Sequence, residues 1–209
     1  MIVSEKGRID VLVNNAGYGL FGAFEDLSLG EIKAQFETNF FGVIRVTQRV
    51  IAIMRTQHNG SGGIIVNVGS INGQIAFPVI SAYSATKFAI EGLSESIAYE
   101  LEPFGIKVIL IEPGPINTNF MKGSVLAKRA LDPQSPYSEL VEKFNTKTSS
   151  QHENATTPEE VAKTIIQAIS DEKPEFRYVV GNYAVTLLEA RKNMPYSEFQ
   201  KMIIQNITK

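Results

Sequence analysis

Cysteine and tryptophan are absent, and histidine occurs only twice, at His58 and His152. Without a thiol there is no disulfide and no thiolate metal site. Two histidines are too few for a histidine-rich zinc site and argue against a Ser-His-Asp triad. No apolar run approaches the ~20 residues that span a bilayer. The opening residues, Met1-Ile2-Val3-Ser4-Glu5-Lys6-Gly7, form no apolar signal core. An excess of charge of one sign is also lacking: 20 basic and 22 acidic side chains leave a net charge of −2. That balance argues against a nucleic-acid or membrane partner. The chain therefore reads as soluble and cytoplasmic, and the N-x-S/T matches at Asn59, Asn154 and Asn206 read as chance. With 209 residues, 44% of them hydrophobic, it fits one sizeable core and a single domain, 1–209.

Periodicity supplies the elements. Ile9-Asp10-Val11-Leu12-Val13 is a short β-branched run that ends in Asn14-Asn15-Ala16-Gly17, a strand and a turn. Ser28-x-x-Glu31 has the spacing of a capping box. From there Ile32, Phe36, Asn39, Val43, Val46 and Val50 recur every three or four residues, predicting one long helix over 28–57. Ile64 to Val68 is a second strand. Ala82, Ala85, Ala89, Leu93, Ile97 and Leu101 predict a helix over 81–102, closed by Pro103 and Gly105. Ile106 to Ile111 is a third strand, stopped by Pro113-Gly114-Pro115. Patterns fade over 119–156, and a segment of that length is expected to act as a lid. Thr157-Pro158-Glu159-Glu160 starts another helix, Phe176 to Val180 is a fourth strand, and terminal helices broken at Pro195 follow. Strands alternating with helices predict an α/β fold with a parallel sheet covered on both faces.

Gly17-Tyr18-Gly19-Leu20-Phe21-Gly22 is a literal G-x-G-x-x-G after a strand. A dinucleotide fingerprint needs its last glycine to open a helix, with an acid at the tip of the next strand. Here the helix signal comes six residues later, and Val68-Gly69-Ser70 carries no acid. The match reads as a flexible turn. Tyr83-Ser84-Ala85-Thr86-Lys87 places a phenol and an ammonium one turn apart on a helix face. An ammonium beside a phenol favours the phenolate, and a phenol so tuned can exchange a proton near neutral pH. Ser70, at the tip of the second strand, offers a hydroxyl to the same oxygen. Asn14, Ser70 and Pro113-Gly114 all lie at strand carboxyl ends, where parallel sheets place their ligands.

These residues resemble the short-chain dehydrogenase/reductase family. The matches are Asn14-Asn15-Ala16-Gly17 after a strand, Asn39 in the next helix, Ser70, Tyr83-x-x-x-Lys87, and Pro113-Gly114-x-x-x-Thr118. They agree in order and spacing across residues 9–118. Tyr99 to Val108 is similar to the branch that includes hydroxysteroid and retinol dehydrogenases. The resemblance implies interconversion of an alcohol and a carbonyl on a small, apolar substrate with NADP or NAD. It implies Tyr83 as general acid or base and Lys87 as the group that lowers the phenol and holds the nicotinamide ribose. Ser70 would orient the substrate oxygen, and Asn39 would hold a relay water. Asn15, Ala16 and Gly17 would pass beside the adenosine half of the cofactor. Pro113, Gly114, Ile116 and Thr118 would line its nicotinamide side. It also implies a homo-oligomer.

The family opens with a strand, a Gly-rich turn, a helix and a cofactor-selecting residue, none of which occurs ahead of Ile9. The expected fold is therefore a Rossmann-type doubly wound sheet, N-terminally truncated to strands four onward. Two other readings stay open: a catalytically silent fragment acting by association, or a complete small dinucleotide-binding module built on Gly17 to Gly22. Phe21, Phe24, Phe36, Phe40 and Phe41 read mostly as core. Glu91, Glu95, Glu100 and Glu102 read as a solvated helix face. Asn39, an amide on an apolar face, needs partners.

Overall fold

The computed structural model describes residues 2–57, 62–151 and 155–208. His58, Asn59, Gly60, Ser61, His152 and Asn154 lie outside the described residues. A single helical turn, α1 (Ile2–Lys6), precedes strand β1 (Val11–Asn14) and the two-residue strand β2 (Leu20–Phe21). Helices α2 (Leu29–Phe36) and α3 (Gly42–Thr56) follow, then β3 (Gly63–Val68), α4 (Ser81–Leu101) and β4 (Ile106–Pro113). Next come α5 (Phe120–Gly123), β5 (Val125–Leu126), α6 (Ser138–Gln151) and α7 (Pro158–Ser170). Strand β6 (Arg177–Val180) leads into α8 (Asn182–Asn193) and α9 (Tyr196–Thr208).

The main sheet is parallel throughout, in the order β1-β3-β4-β6. Alternate residues of its strands face opposite layers. Ile65 and Val108 pack with Val50 and Met54 of α3, and Leu110 packs with Val43 of α3 and Ile90 of α4. Val66, Ile109 and Ile111 face the other way, onto Val161 and Ala168 of α7. Helices on both faces leave the strand carboxyl ends as the open rim. Among the described residues no helix is long and apolar enough to cross a membrane.

Both expected capping boxes are present. Ser28 and Glu31 cap α2, and Thr157 and Glu160 cap α7, with Pro158 at the first helical position. Elsewhere the structure differs from the pattern. The helix expected over 28–57 is interrupted by a π-helical turn, Glu37–Phe41, which separates α2 from α3 and contains Asn39. Ile9 stays outside β1 because the Gln57 side chain takes both its backbone groups, at 2.9 and 2.7 Å. Residues 119–156 are not irregular throughout. They hold α5, β5, a 3₁₀ turn (Lys128–Leu131) and α6, whose Val141 and Phe144 are buried in the largest core cluster.

The Gly17–Gly22 segment is not a phosphate loop. Leu20 and Phe21 pair in parallel with Val125 and Leu126. The Gly19 and Phe21 carbonyls accept from Val125 and Ala127 at 2.7 and 2.8 Å, and Leu20 is 1% exposed. With its backbone used in a buried ribbon and no α-helix opening until Leu29, the segment offers no anion cradle. The reading of a complete dinucleotide module on these glycines is thereby overturned.

Candidate active site

Three elements meet at the carboxyl end of β3. Ser70 follows that strand and caps the 3₁₀ turn Ile71–Gly73: its Oγ accepts from the Asn72 amide at 3.1 Å and donates to Asn72 Oδ1 at 3.1 Å. Tyr83 lies in the first turn of α4. That helix is approached through Val79, whose φ of 71° is left-handed and strained for a β-branched residue. Its carbonyl accepts from the Gly22 amide at 2.7 Å, which fixes the approach. Ser70 is near enough to act on the Tyr83 phenol. One turn along, Lys87 Nζ donates to the Val68 carbonyl at 2.8 Å and sits 5.7 Å from the Tyr83 ring centroid. On the other side the Phe120 ring stands 5.8 Å from that of Tyr83, tilted by 59°.

The electrostatics depart from the expected pairing. Burial pushes the Tyr83 phenol up to about 12, and the nearby Ser70 works in the opposite direction. Burial also pushes the Lys87 ammonium down to about 8, while Glu91 raises it. The Lys87 ammonium is engaged by the Val68 carbonyl, and burial dominates the position of the phenol. Both side chains are only half-buried, so part of each stays open to the rim. At neutral pH Tyr83 is a proton donor and Lys87 is largely a cation.

Asn39 is buried, and its amide is occupied. Oδ1 accepts from the Tyr18 amide at 3.1 Å, and Nδ2 donates to the Tyr18 carbonyl at 2.9 Å and to Thr86 Oγ1 at 3.3 Å. The side chain ties the turn after β1 to α4 beside Tyr83, so a relay water would have to use another atom of this residue. A side chain at Gly17 would meet Asn39 Oδ1 at 3.2 Å, which explains the glycine there.

The other expected cofactor residues lie along the same rim. Asn15, Ala16 and Gly17 are exposed after β1. Pro113 ends β4, and the Gly114 amide donates to the Val180 carbonyl at 3.0 Å. Ile116 bridges to Thr156, and Thr118 Oγ1 accepts from the Phe120 amide at 3.1 Å. A dinucleotide laid across these carboxyl ends would find the Lys87 ammonium, the Tyr83 and Thr118 hydroxyls and the exposed turn after β1. That donor set fits the nicotinamide and its ribose.

Sequence reasoning missed a second polar cluster behind this one. Glu91, read as part of a solvated face, is 7% exposed, and Glu112 is fully buried beside it. Two signals were available. Glu91 repeats the spacing from Tyr83 to Lys87 once more along α4, and Glu112 is an acid at the end of an otherwise apolar strand.

Comparison with known proteins agrees with this geometry. The family model described as short chain dehydrogenase matches residues 1–130. An uncharacterized oxidoreductase of Schizosaccharomyces pombe is 38% identical over 201 residues, covering 94% of this chain and 80% of the relative. The 3-ketodihydrosphingosine reductase of Bacteroides thetaiotaomicron is 35% identical over 192 residues, covering 92% and 70%. The crystal structure of a short-chain dehydrogenase from Streptomyces avermitilis superposes with a TM-score of 0.80 at 37% identity, covering 96% of this chain and 70% of that one. The Rossmann-like parallel sheet and these matches place the chain among the dehydrogenases and reductases. The chain belongs to the short-chain dehydrogenase/reductase family and is an oxidoreductase.

Proposed function

We propose that the protein interconverts an alcohol and a carbonyl on an apolar substrate, with NADP(H) or NAD(H) as the hydride carrier. The observation that carries this reading is Tyr83 beside Ser70, with Lys87 one turn behind it on the rim. The nicotinamide, when bound, supplies or accepts the hydride, and the chain's own groups place the substrate and move the proton. Tyr83, protonated by virtue of burial, donates to the carbonyl oxygen during reduction. Ser70 donates a second hydrogen bond to the same oxygen and holds it in line with Tyr83. Lys87 supplies positive charge beside the developing phenolate and a donor for the ribose hydroxyls. In the oxidative direction the same atoms work in reverse, and the proton returns to Tyr83.

An apolar substrate is supported by what surrounds Tyr83. Its ring packs against the main apolar cluster together with Met121 and Leu126, and Phe120 covers its other side. A relative named for a sphingoid ketone points the same way. Self-association is part of the proposal: Phe41, Val46 of α3 and Phe88 of α4 leave apolar surface exposed.

The test is nicotinamide absorbance with ketones and secondary alcohols of increasing aliphatic length, for wild type and Tyr83→Phe. kcat/KM should rise with chain length. The Phe variant removes the proton and keeps the ring, so turnover should fall ~10²- to 10⁴-fold. Near-normal turnover in Tyr83→Phe would overturn the assignment.

A further inference from the structure

Beyond Lys87, α4 carries Glu91 on the same face, one more turn along. Its carboxyl group and that of Glu112 from β4 both lie against one guanidinium, that of Arg177. Two buried carboxylates so placed repel each other, which favours a proton on Glu91. Arg177 of β6 reaches Glu91 Oε2 through Nε at 3.3 Å and Nη2 at 3.1 Å. It also stands 3.6 Å from Glu112 and 3.7 Å from Glu95. Gln74, in the loop that follows Ser70, donates to both oxygens of Glu112 at 2.7 Å. Glu91 Oε1 has no donor among the described residues. One guanidinium therefore faces three carboxyl groups, and a proton resolves the imbalance. The same carboxyl group supports the Ser70 loop: a side chain at Gly73 would meet Glu91 Cγ and Oε1 at 2.7 and 2.8 Å.

We propose that Glu91 is a positioning residue of the reaction: it holds a proton in the buried cluster behind Lys87, and the presence or loss of that proton sets the charge that Lys87 feels. The inference rests on Lys87 working beside Tyr83 as proposed above. Burial and the nearby Glu112 push the Glu91 carboxyl up to about 8, the range to which burial lowers Lys87. Two groups that titrate in one range, one helical turn apart, bias each other: an ionised Glu91 holds the proton on Lys87, and a neutral Glu91 releases it. The groups facing Glu91 are Glu112 from β4, Arg177 from β6, and Lys87 and Glu95 along α4. Tyr83 faces Lys87 from the next turn.

Two isosteric variants separate this from a packing role. Glu91→Gln keeps the size and shape of the side chain and removes the anion, so Lys87 should titrate at lower pH. Glu112→Gln removes the acid partner, so Glu91 ionises beside Arg177 and Lys87 should titrate at higher pH. The readout is the carbon-13 shift of Lys87 Cε against pH in the lysine-labelled chain, assigned by its loss in Lys87→Met. Displacements of about one pH unit in opposite directions are expected, with the alkaline limb of kcat/KM following them. The signal needs no turnover, so it stands apart from the Tyr83→Phe test of the reading itself. In the unmutated chain the Glu91 carboxyl carbon should titrate in the same window as Lys87, a readout that survives if a variant fails to fold. Shifts in one direction for both variants, no shift in either, or a Glu91 carboxyl that titrates in the ordinary carboxylate range would each overturn the proposal.

Discussion

An ammonium that donates to a strand carbonyl at 2.8 Å and has been pushed down to about 8 by burial is at the edge of losing its proton in ordinary buffers. Activity that needs the Lys87 charge should decline as pH rises through about 8. Stability should move the other way. Between about 8 and 10.5 the folded chain has released a proton that the unfolded chain still holds, so rising pH favours the fold. Tyr83 reverses this higher up. Its folded value of about 12 exceeds the ordinary 10, so its contribution is lost as pH climbs from 10 towards 12. Melting curves of wild type and Lys87→Met across pH 8 to 10 check the sign; a climb that persists in the Met variant would remove Lys87 as its source. Gly73→Ala belongs to the same scale. The added Cβ would meet Glu91 Cγ, Glu91 Oε1 and the Lys87 carbonyl at 2.7, 2.8 and 3.1 Å, so the Ser70 loop must lift away from α4. A loss of roughly 1–3 kcal/mol in stability is expected, with kcat falling more than KM rises because Ser70 moves away from Tyr83. Unchanged kcat would show that the loop accommodates the methyl group. Ser70, Tyr83 and Lys87 were legible in the sequence because local spacing put the last two on one face and a strand tip beside them. Glu91 was not, because its partner Arg177 comes from 86 residues away, and no helical pattern reveals which face a distant strand will meet.

Between the residue and the molecule, the long apolar elements were legible and the short polar ones were not. Four strands and the helices between them followed from unbroken β-branched runs and three-to-four-residue repeats. The ribbon of β2 and β5 did not, since two residues give no period and their partners lie more than a hundred residues apart in sequence. Helix α6 was missed because few apolar side chains mark it. Leu140, Val141 and Phe144 supply the contacts that seat it in the main cluster. The π-helical turn at Glu37–Phe41 is likewise invisible to a pattern of apolar spacings, although such turns recur at functional sites. Here it places Asn39 where one amide ties Tyr18 to Thr86. The lid expected over 119–156 takes a more specific form in this light. Its first part, α5, brings Phe120 to Tyr83, while α6 is anchored on the core. Residues 118–124, ahead of the ribbon strand β5, should therefore be the part that closes, and loops that close over a site gain order when it fills. Limited proteolysis should cut this part faster in the ligand-free protein than with nicotinamide cofactor and a long-chain alcohol both present. Equal rates in the two states would discard a closing motion.

At the scale of the whole molecule, the sheet ends in β1, which pairs on one side with β3 and on the other with no strand among the described residues. A parallel strand buried on both sides has its backbone groups taken; an edge strand keeps a row of donors and acceptors facing outward. Proteins blunt such edges with proline, lysine or a bulge, and Val11-Leu12-Val13-Asn14 carries none of these. Its side chains add to the exposure. Val11 and Val13 are 37% and 42% accessible, far above the buried Ile65 and Val66 of the neighbouring strand. Unpaired backbone and apolar side chains on one edge invite pairing with another chain. The 209-residue chain, purified by itself, should therefore associate in a concentration-dependent way. Val11→Lys should raise the monomer fraction, because the position already meets solvent and a lysine there adds charge to the edge without displacing core side chains. The opposite face of the same argument is a control: Ile65→Lys would bury the ammonium between β3 and α3 and should unfold the chain. Size-exclusion chromatography with light scattering reads both outcomes. A wild-type chain that stays monomeric at concentrations well above the micromolar range, with a cooperative melt, would show that the β1 edge does not drive association.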